Sequence, residues 1–189
     1  MAHPRPPDFD TPAATAPKAR PAREGRSTRL QFARLTAGAV GKQKQGNPLS
    51  VTAVYRATPL ERIDMVRRGV LASEAKRILA ELPIGQSTSL KALNLSTATV
   101  NRKAKLGETL SPEESERLVG FARLLGQLEA MVQDSGDHAD FDARAWMARW
   151  LTEPLPAFGG VRPADLVDTM EGQGLVSAAL AQIQSGAYA

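Results

Sequence analysis

The 189-residue sequence has no cysteine, only two histidines, and aromatic residues at 5% of its length. Without cysteine there is no disulfide frame, no thiolate zinc site and no sulfur nucleophile, which fits a reducing compartment. With so little histidine, acid–base pairs are scarce: His3 sits among prolines and His138 in an aspartate-rich loop. Long apolar runs are missing too. No stretch approaches the roughly 20 residues of a membrane-spanning helix, and the opening MAHPRPPDFD lacks the basic start and apolar centre of a signal peptide. These absences point to an uncleaved cytoplasmic protein with no membrane partner.

Charge is unevenly distributed. Residues 1–30 hold 6 Lys/Arg against 3 Asp/Glu, residues 31–134 hold 15 against 10, and residues 135–189 hold 3 against 7. A basic middle suits a polyanion, and an acidic end suits something cationic. Six of the 13 prolines fall before residue 28, with Phe9 the one large apolar residue there. Such a segment buries too little surface to offset the entropy of ordering it, so residues 1–29 read as a disordered Pro/Arg-rich tail. Its Arg20, Arg23, Arg26 and Arg29 suit either nucleic-acid contact or a solubilising arm. Residues 30–57 form an extension without a clear pattern: Leu30, Phe32 and Leu35 fit a short helix, and LSVTAVY has the β-branched content of a strand. Gly41-Lys42 is not a phosphate loop, because Gln43 replaces the hydroxyl residue that binds magnesium.

From Thr58 onward the punctuation is helical. Thr58-Pro59-Leu60-Glu61 combines a capping hydroxyl, a proline at the first helical position and a carboxylate three residues past the cap, and Gly69 closes the segment. Further helices are expected from near Ser73 to Pro83, over about 87–93, and from Ser96 to Gly107. Ser111-Pro112-Glu113-Glu114 then heads a long one with Leu118, Phe121, Ala122, Leu125, Leu128 and Val132 on its apolar face. After the loop Ser135-Gly136-Asp137-His138 comes a helix carrying Phe141, Ala145, Trp146 and Leu151. A Pro/Gly loop at 154–160 follows, then two short helices broken by Gly172. The expected fold is all-α, with a helix-turn-helix module at 58–134 and a small helical domain at 135–189.

Within that module, Ser89 to Arg102 has helix-turn-helix spacing. Leu90 and Leu93 face inward, Asn94 takes a left-handed turn position, and Leu95 and Val100 pin the second helix. Ser96, Thr97, Thr99, Asn101, Arg102, Lys103 and Lys105 are the candidate DNA-contacting groups. Asn pairs with adenine and Arg with guanine in the major groove, while hydroxyls and a helix start hold phosphate. The pattern alone also fits a helical hairpin with merely solvated polar residues.

Catalytic and cofactor sites were sought in the same residues. Asp134, Asp137, His138, Asp140 and Asp142 match no calcium-loop spacing and read as capping and solvating groups. Gly172-x-Gly174 follows a helix, not a strand, so it is no dinucleotide fingerprint. Trp146 and Trp150, four apart, read as core or interface anchors. The expectation is a non-enzyme with no catalytic residue, no metal and no cofactor.

The order of these motifs resembles the antitoxins of RES-type toxin–antitoxin pairs, the Xre, MbcA and ParS group. The resemblance runs from about Thr58 to the end. It rests on TPLERIDMVRRG, LNLSTATVNRK, Leu110 to Arg117, Trp150-Leu151 with Pro154, Gly159-Gly160, Pro163, Leu166 and Thr169, and then Gly172, Val176, Leu180, Ile183 and Gly186. Asn101-Arg102-Lys103 departs from the pair of adjacent arginines common in relatives, and the proline-rich leader lies outside the shared pattern. The resemblance implies a homodimer that binds its own operator and forms a higher-order complex with a cognate RES-domain toxin acting on NAD, by hydrolysis or ADP-ribosyl transfer. It also implies that the last residues enter or cover the toxin's active site.

A cleft that holds a dinucleotide diphosphate needs cationic groups, so an acidic domain ending in a free carboxylate has electrostatic complementarity to it. The candidate toxin-binding residues are Ile183, Gln184, Gly186, Ala187, Tyr188 and Ala189, with Tyr188 as aromatic anchor. Leu175, Val176, Ala179, Leu180 and Ile183 read mainly as packing. A frayed terminus fits the same tip residues. A plain helix-turn-helix regulator, whose acidic domain only dimerises or senses a ligand, is the alternative from another class.

Overall fold

The capping signals of the sequence translate directly into backbone geometry in the computed structural model, which describes residues 48–136 and 141–185. Thr58 Oγ accepts from the Glu61 amide, and the Glu61 carboxylate accepts from the Thr58 amide at 2.7 Å, closing a capping box ahead of a proline. Ser111 and Glu114 repeat the arrangement, with the Ser111 amide 2.8 Å from the Glu114 carboxylate. Each box satisfies backbone donors that a helix start otherwise leaves unpaired.

The described chain runs α1 (Val51–Arg56), α2 (Pro59–Arg68), α3 (Ala72–Ala80), α4 (Gln86–Ala92), α5 (Thr97–Leu106), α6 (Pro112–Ser135), α7 (Ala143–Thr152) and α8 (Met170–Gln184), with single 3-10 turns at Pro156–Phe158 and Pro163–Asp165 between the last two. Among the described residues there is no strand, only an isolated antiparallel bridge between Leu71 and Thr109. Flanking bonds from Ala72 N–H to the Glu108 carbonyl and from Leu110 N–H to the Val70 carbonyl staple the entry of α3 to the exit of α5. No described helix is long and apolar enough to cross a membrane.

α6 is the axis of the assembly. Its middle is buried nearly all round, from Leu118 through Leu128, rather than along the single stripe read from the sequence. A helix apolar on every side has to be surrounded, and α1, α2, α7 and α8 all pack on it. Two glycines on different sides of α6 let the neighbouring chain approach closely. A Cβ at Gly126 would overlap the Val51 carbonyl and lie 2.7 Å from Tyr55 Cβ, and one at Gly120 would overlap the Gln173 carboxamide. One continuous core results, from Val51 to Leu180.

Three expectations are corrected. LSVTAVY is not a strand: Ser50 caps α1, and Val51 and Val54, one turn apart, are buried against α6. Tertiary packing here overrides a β-branched preference that amounts to only a fraction of a kcal/mol per residue. Gly172 does not break a helix. It occupies the first turn of α8, capped by Thr169, because the Leu166 carbonyl lies where a Cβ would be. Phe141 precedes α7 rather than belonging to it, since Asp142 is the N-cap and accepts from Arg144 and Ala145 N–H. The expectations for residues 1–47 lie outside the described residues.

The two glycines of α8 separate these effects. Gly172→Ala should lower stability by about 1–3 kcal/mol through overpacking. Gly174, with nothing near its would-be Cβ, should give an Ala variant more stable by about 0.5–1 kcal/mol through reduced backbone entropy. Chemical denaturation of the two variants checks the opposite signs.

Candidate functional site

The turn between α4 and α5 is built from inside outward. Leu90, Leu93 and Val100 are fully buried and Leu95 nearly so. Asn94 is the sole non-glycine among the described residues with positive φ, at 50°, and the chain reverses there through Leu95 N–H to the Leu90 carbonyl at 2.8 Å. Asn tolerates this left-handed backbone better than any residue but glycine. Ser96 then caps α5 by accepting from Thr99 N–H at 3.3 Å. Helix, turn and second helix fall where the sequence places them.

The outward groups divide into two sets. Ser96 and Thr97 are exposed at the start of α5, Thr99 and Asn101 are half-buried on its first turns, and Arg102 and Lys105 are exposed. Arg102 pairs with Glu108 at 3.3 Å, a solvent-exposed pair that a stronger anion can displace. Lys103 is placed differently: its ammonium lies 2.7 Å from Glu114, with both side chains largely shielded, so it ties α5 to the head of α6. Its direction depends on α6, which the spacing within α5 does not reveal.

An open hollow of about 660 Å³ lies between α4 and the start of α5, bordered by Ser87, Thr88, Lys91, Asn94, Ser96 and Thr97. Four hydroxyls, one ammonium and the amino end of α5 line it, a composition suited to phosphate oxygens. Sequence reasoning missed Ser87, Thr88 and Lys91. The run QSTS followed by Lys91 held the signal, but the scaffold helix reads as support rather than contact.

In the acidic half, Trp146 and Trp150 stack with ring centroids 5.6 Å apart, and Phe141 lies 6.5 Å from Trp146. Trp150 is buried in the core. Of the candidate tip residues, Ile183 is half-buried against the core and Gln184 is exposed on the last turn of α8. Gly186, Ala187, Tyr188 and Ala189 lie outside the described residues, as do Asp137, His138 and Asp140. Val176, Ala179 and Leu180 pack inward, whereas Leu175 points out. Among the described residues no group of three or more His, Asp or Glu is arranged to hold a metal.

Comparison with known proteins finds two family matches along the chain. Residues 61–123 match the antitoxin Xre-like helix-turn-helix domain, and residues 127–186 match the antitoxin Xre/MbcA/ParS C-terminal toxin-binding domain. The chain is 54% identical over 156 residues to the Prs ADP-ribosylating antitoxin of Sphingobium sp. (strain YBL2), a match that covers 82% of this chain and 98% of that relative.

The Lys103–Glu114 pair links α5 to the head of α6. Burial by itself raises the Glu114 carboxyl. Hydrogen bonds from Lys103 and the Ser111 amide, with the charges of Lys103 and Arg117, outweigh it and hold the group below its ordinary value of 4.5. A carboxyl lowered by folding contributes stability that is present above its unfolded value and lost as pH falls through the folded one. Glu114→Gln should therefore lose about 1–2 kcal/mol at neutral pH and show a shallower decline below pH 4.5 than the parent. Thermal unfolding monitored by circular dichroism from pH 7 to 3 checks both. An unchanged acid slope contradicts the assignment.

Proposed function

The chain belongs to the Xre/MbcA/ParS family of antitoxins, and from that premise we propose that it neutralises a cognate RES-domain toxin acting on NAD and represses its own operon. The observation that carries the reading is a coincidence: the segment matched as toxin-binding, residues 127–186, contains nearly all of the acidic region at 135–189. An acidic inhibitor approaches a cationic dinucleotide cleft quickly and in the right orientation. The Sphingobium relative is named for ADP-ribosylation of Prs, which favours ADP-ribosyl transfer over NAD hydrolysis as the reaction of this chain's toxin. Within this reading Ile183, Gln184, Gly186, Ala187, Tyr188 and Ala189 close the toxin's active site. The protein acts by binding and not by catalysis, in the cytoplasm, as a homodimer.

For DNA, the contacting set we propose is Ser96, Thr97, Thr99, Asn101, Arg102 and Lys105, joined by Lys91 from the neighbouring helix. Asn101 and Arg102 read base edges, and the hydroxyls and lysines hold phosphates. Lys103 positions α5 through Glu114 instead of touching DNA. The domain division at 58–134 and 135–189 is then one of function. α6 serves both parts.

Two experiments test these statements. Co-expression with a cognate RES-domain toxin should restore growth, and deletion of residues 186–189 should abolish rescue while leaving operator binding intact. A deletion without effect on rescue removes the tip from the mechanism, and failure of the whole chain to rescue favours a plain regulator. For DNA, Arg102→Ala should cost about 1–3 kcal/mol of operator affinity, and binding should weaken steeply between low and physiological salt because neutralised phosphates release counterions. Salt-independent binding in a fluorescence anisotropy titration rules out the DNA-contacting surface.

A further inference from the structure

Among the described residues α2 is the one α-helix with no buried side chain, although it carries Leu60, Ile63, Met65 and Val66. Met65 and Val66 lie half-buried against the core, and on the same side the Arg62 guanidinium donates to the Ala57 carbonyl. With about 100° between successive residues, the opposite side holds Leu60, Ile63, Asp64 and Arg67, all in solvent. Leu60 is 77% exposed, more than any other large apolar residue described, and Ile63 is 44% exposed. A single exposed leucine needs no explanation. Two aliphatic side chains a turn apart, on a helix that already gives its other side to the core, mark a second contact face.

From this face we infer that a second copy of the chain docks on α2, helix against helix and antiparallel, about a twofold axis passing near Ile63. The inference rests on the homodimer reading and gives that homodimer its surface. The charge pattern selects the occupant. Glu61 and Asp64 lie in the first half of α2, and Arg67 and Arg68 close it. A twofold axis therefore turns each acidic half onto the basic half of the other copy, while Ile63 meets Ile63. With the axis between Ile63 and Asp64, the partner's Arg67 comes level with Leu60 and about 6 Å along the helix from Asp64. Asp64 is paired with Arg68 at 2.7 Å, a solvent-exposed contact that a second arginine can share. A phosphate backbone suits neither the two acids nor the two aliphatic side chains, and the segment matched as toxin-binding, residues 127–186, begins beyond α2. The Val70 carbonyl accepts from Leu110 N–H, and Ala72 N–H donates to the Glu108 carbonyl. Docking at α2 therefore carries the exits of both α5 helices with it and fixes them relative to each other.

The test measures self-association of the full chain by sedimentation velocity over a range of concentrations. The parent should sediment as a dimer. Ile63→Glu and Leu60→Glu should each raise the dimer dissociation constant at least about tenfold, with the helical circular dichroism unchanged. Asp64→Arg and Arg67→Asp should each weaken self-association alone, and a mixture of the two should dimerise again. Each like-charge contact of the separate variants becomes an opposite-charge contact in the mixed pair. Restoration on mixing is peculiar to an antiparallel pairing of α2 with itself. A dimeric Ile63→Glu, or charge variants indifferent to mixing, overturns the inference and leaves the homodimer reading standing. A monomeric parent overturns both. If Ile63→Glu or Leu60→Glu dimerises like the parent but loses operator or toxin binding, the face belongs to that partner and the inference falls. Should Ile63→Glu fail to fold, the mixing experiment decides, because Asp64 and Arg67 are exposed.

Discussion

The described helices are arranged around one helix that has almost no solvent face over its middle. From Leu118 to Leu128, α6 offers apolar or glycine surface in nearly every direction. Leaving such a helix in water forfeits about 25 cal/mol for each Å² of apolar area exposed, so its neighbours are obligatory. The helix-turn-helix sits at one end and α7 and α8 lie along the rest. The division into a helix-turn-helix domain and a C-terminal toxin-binding domain is one of surface, because the two parts share their core.

The same helix sets the direction of α5. α5 touches α6 through Lys103 and Glu114, and Arg117 donates to the Asn94 carbonyl in the turn before it. These contacts hold α5 in one rotational setting, which keeps Arg102 and Lys105 outward and turns Lys103 inward. A shielded ion pair of this kind is retained less for net stability than for the single geometry it imposes. A second polar set, Arg144 with Glu81 and Glu129, joins α7 to the end of α3 and to α6. Arg77 extends it, bonding Glu74, Glu81 and the Leu49 carbonyl. The acidic half is thus connected to the scaffold of the helix-turn-helix by ion pairs.

Belonging to the Xre/MbcA/ParS antitoxins gives this architecture a use. The family places a nucleic-acid reader and a toxin binder on one chain, and here the charge follows the same division: basic up to residue 134, acidic beyond it. Opposite signs give the two parts opposite electrostatic complementarity.

Local grammar was legible from the residues alone. The hydroxyl, proline and carboxylate signatures at Thr58 and Ser111, the serine cap at Ser96, the left-handed Asn94 and the alternation of buried Leu90, Leu93, Leu95 and Val100 all depend on neighbours within five residues, so the sequence contains their physics entirely. What required the tertiary structure were relations between residues distant in the chain. The roles of Gly120 and Gly126 appear only when Gln173 and Val51 are placed against them. Gly172 looks like a break until the Leu166 carbonyl is seen above it. LSVTAVY looks like a strand until α6 provides an apolar wall, and the ion pair of Lys103 with Glu114 appears only once α6 is set beside α5. Each of these is decided by a partner that local propensity cannot name, at an energy larger than the propensity it overrides.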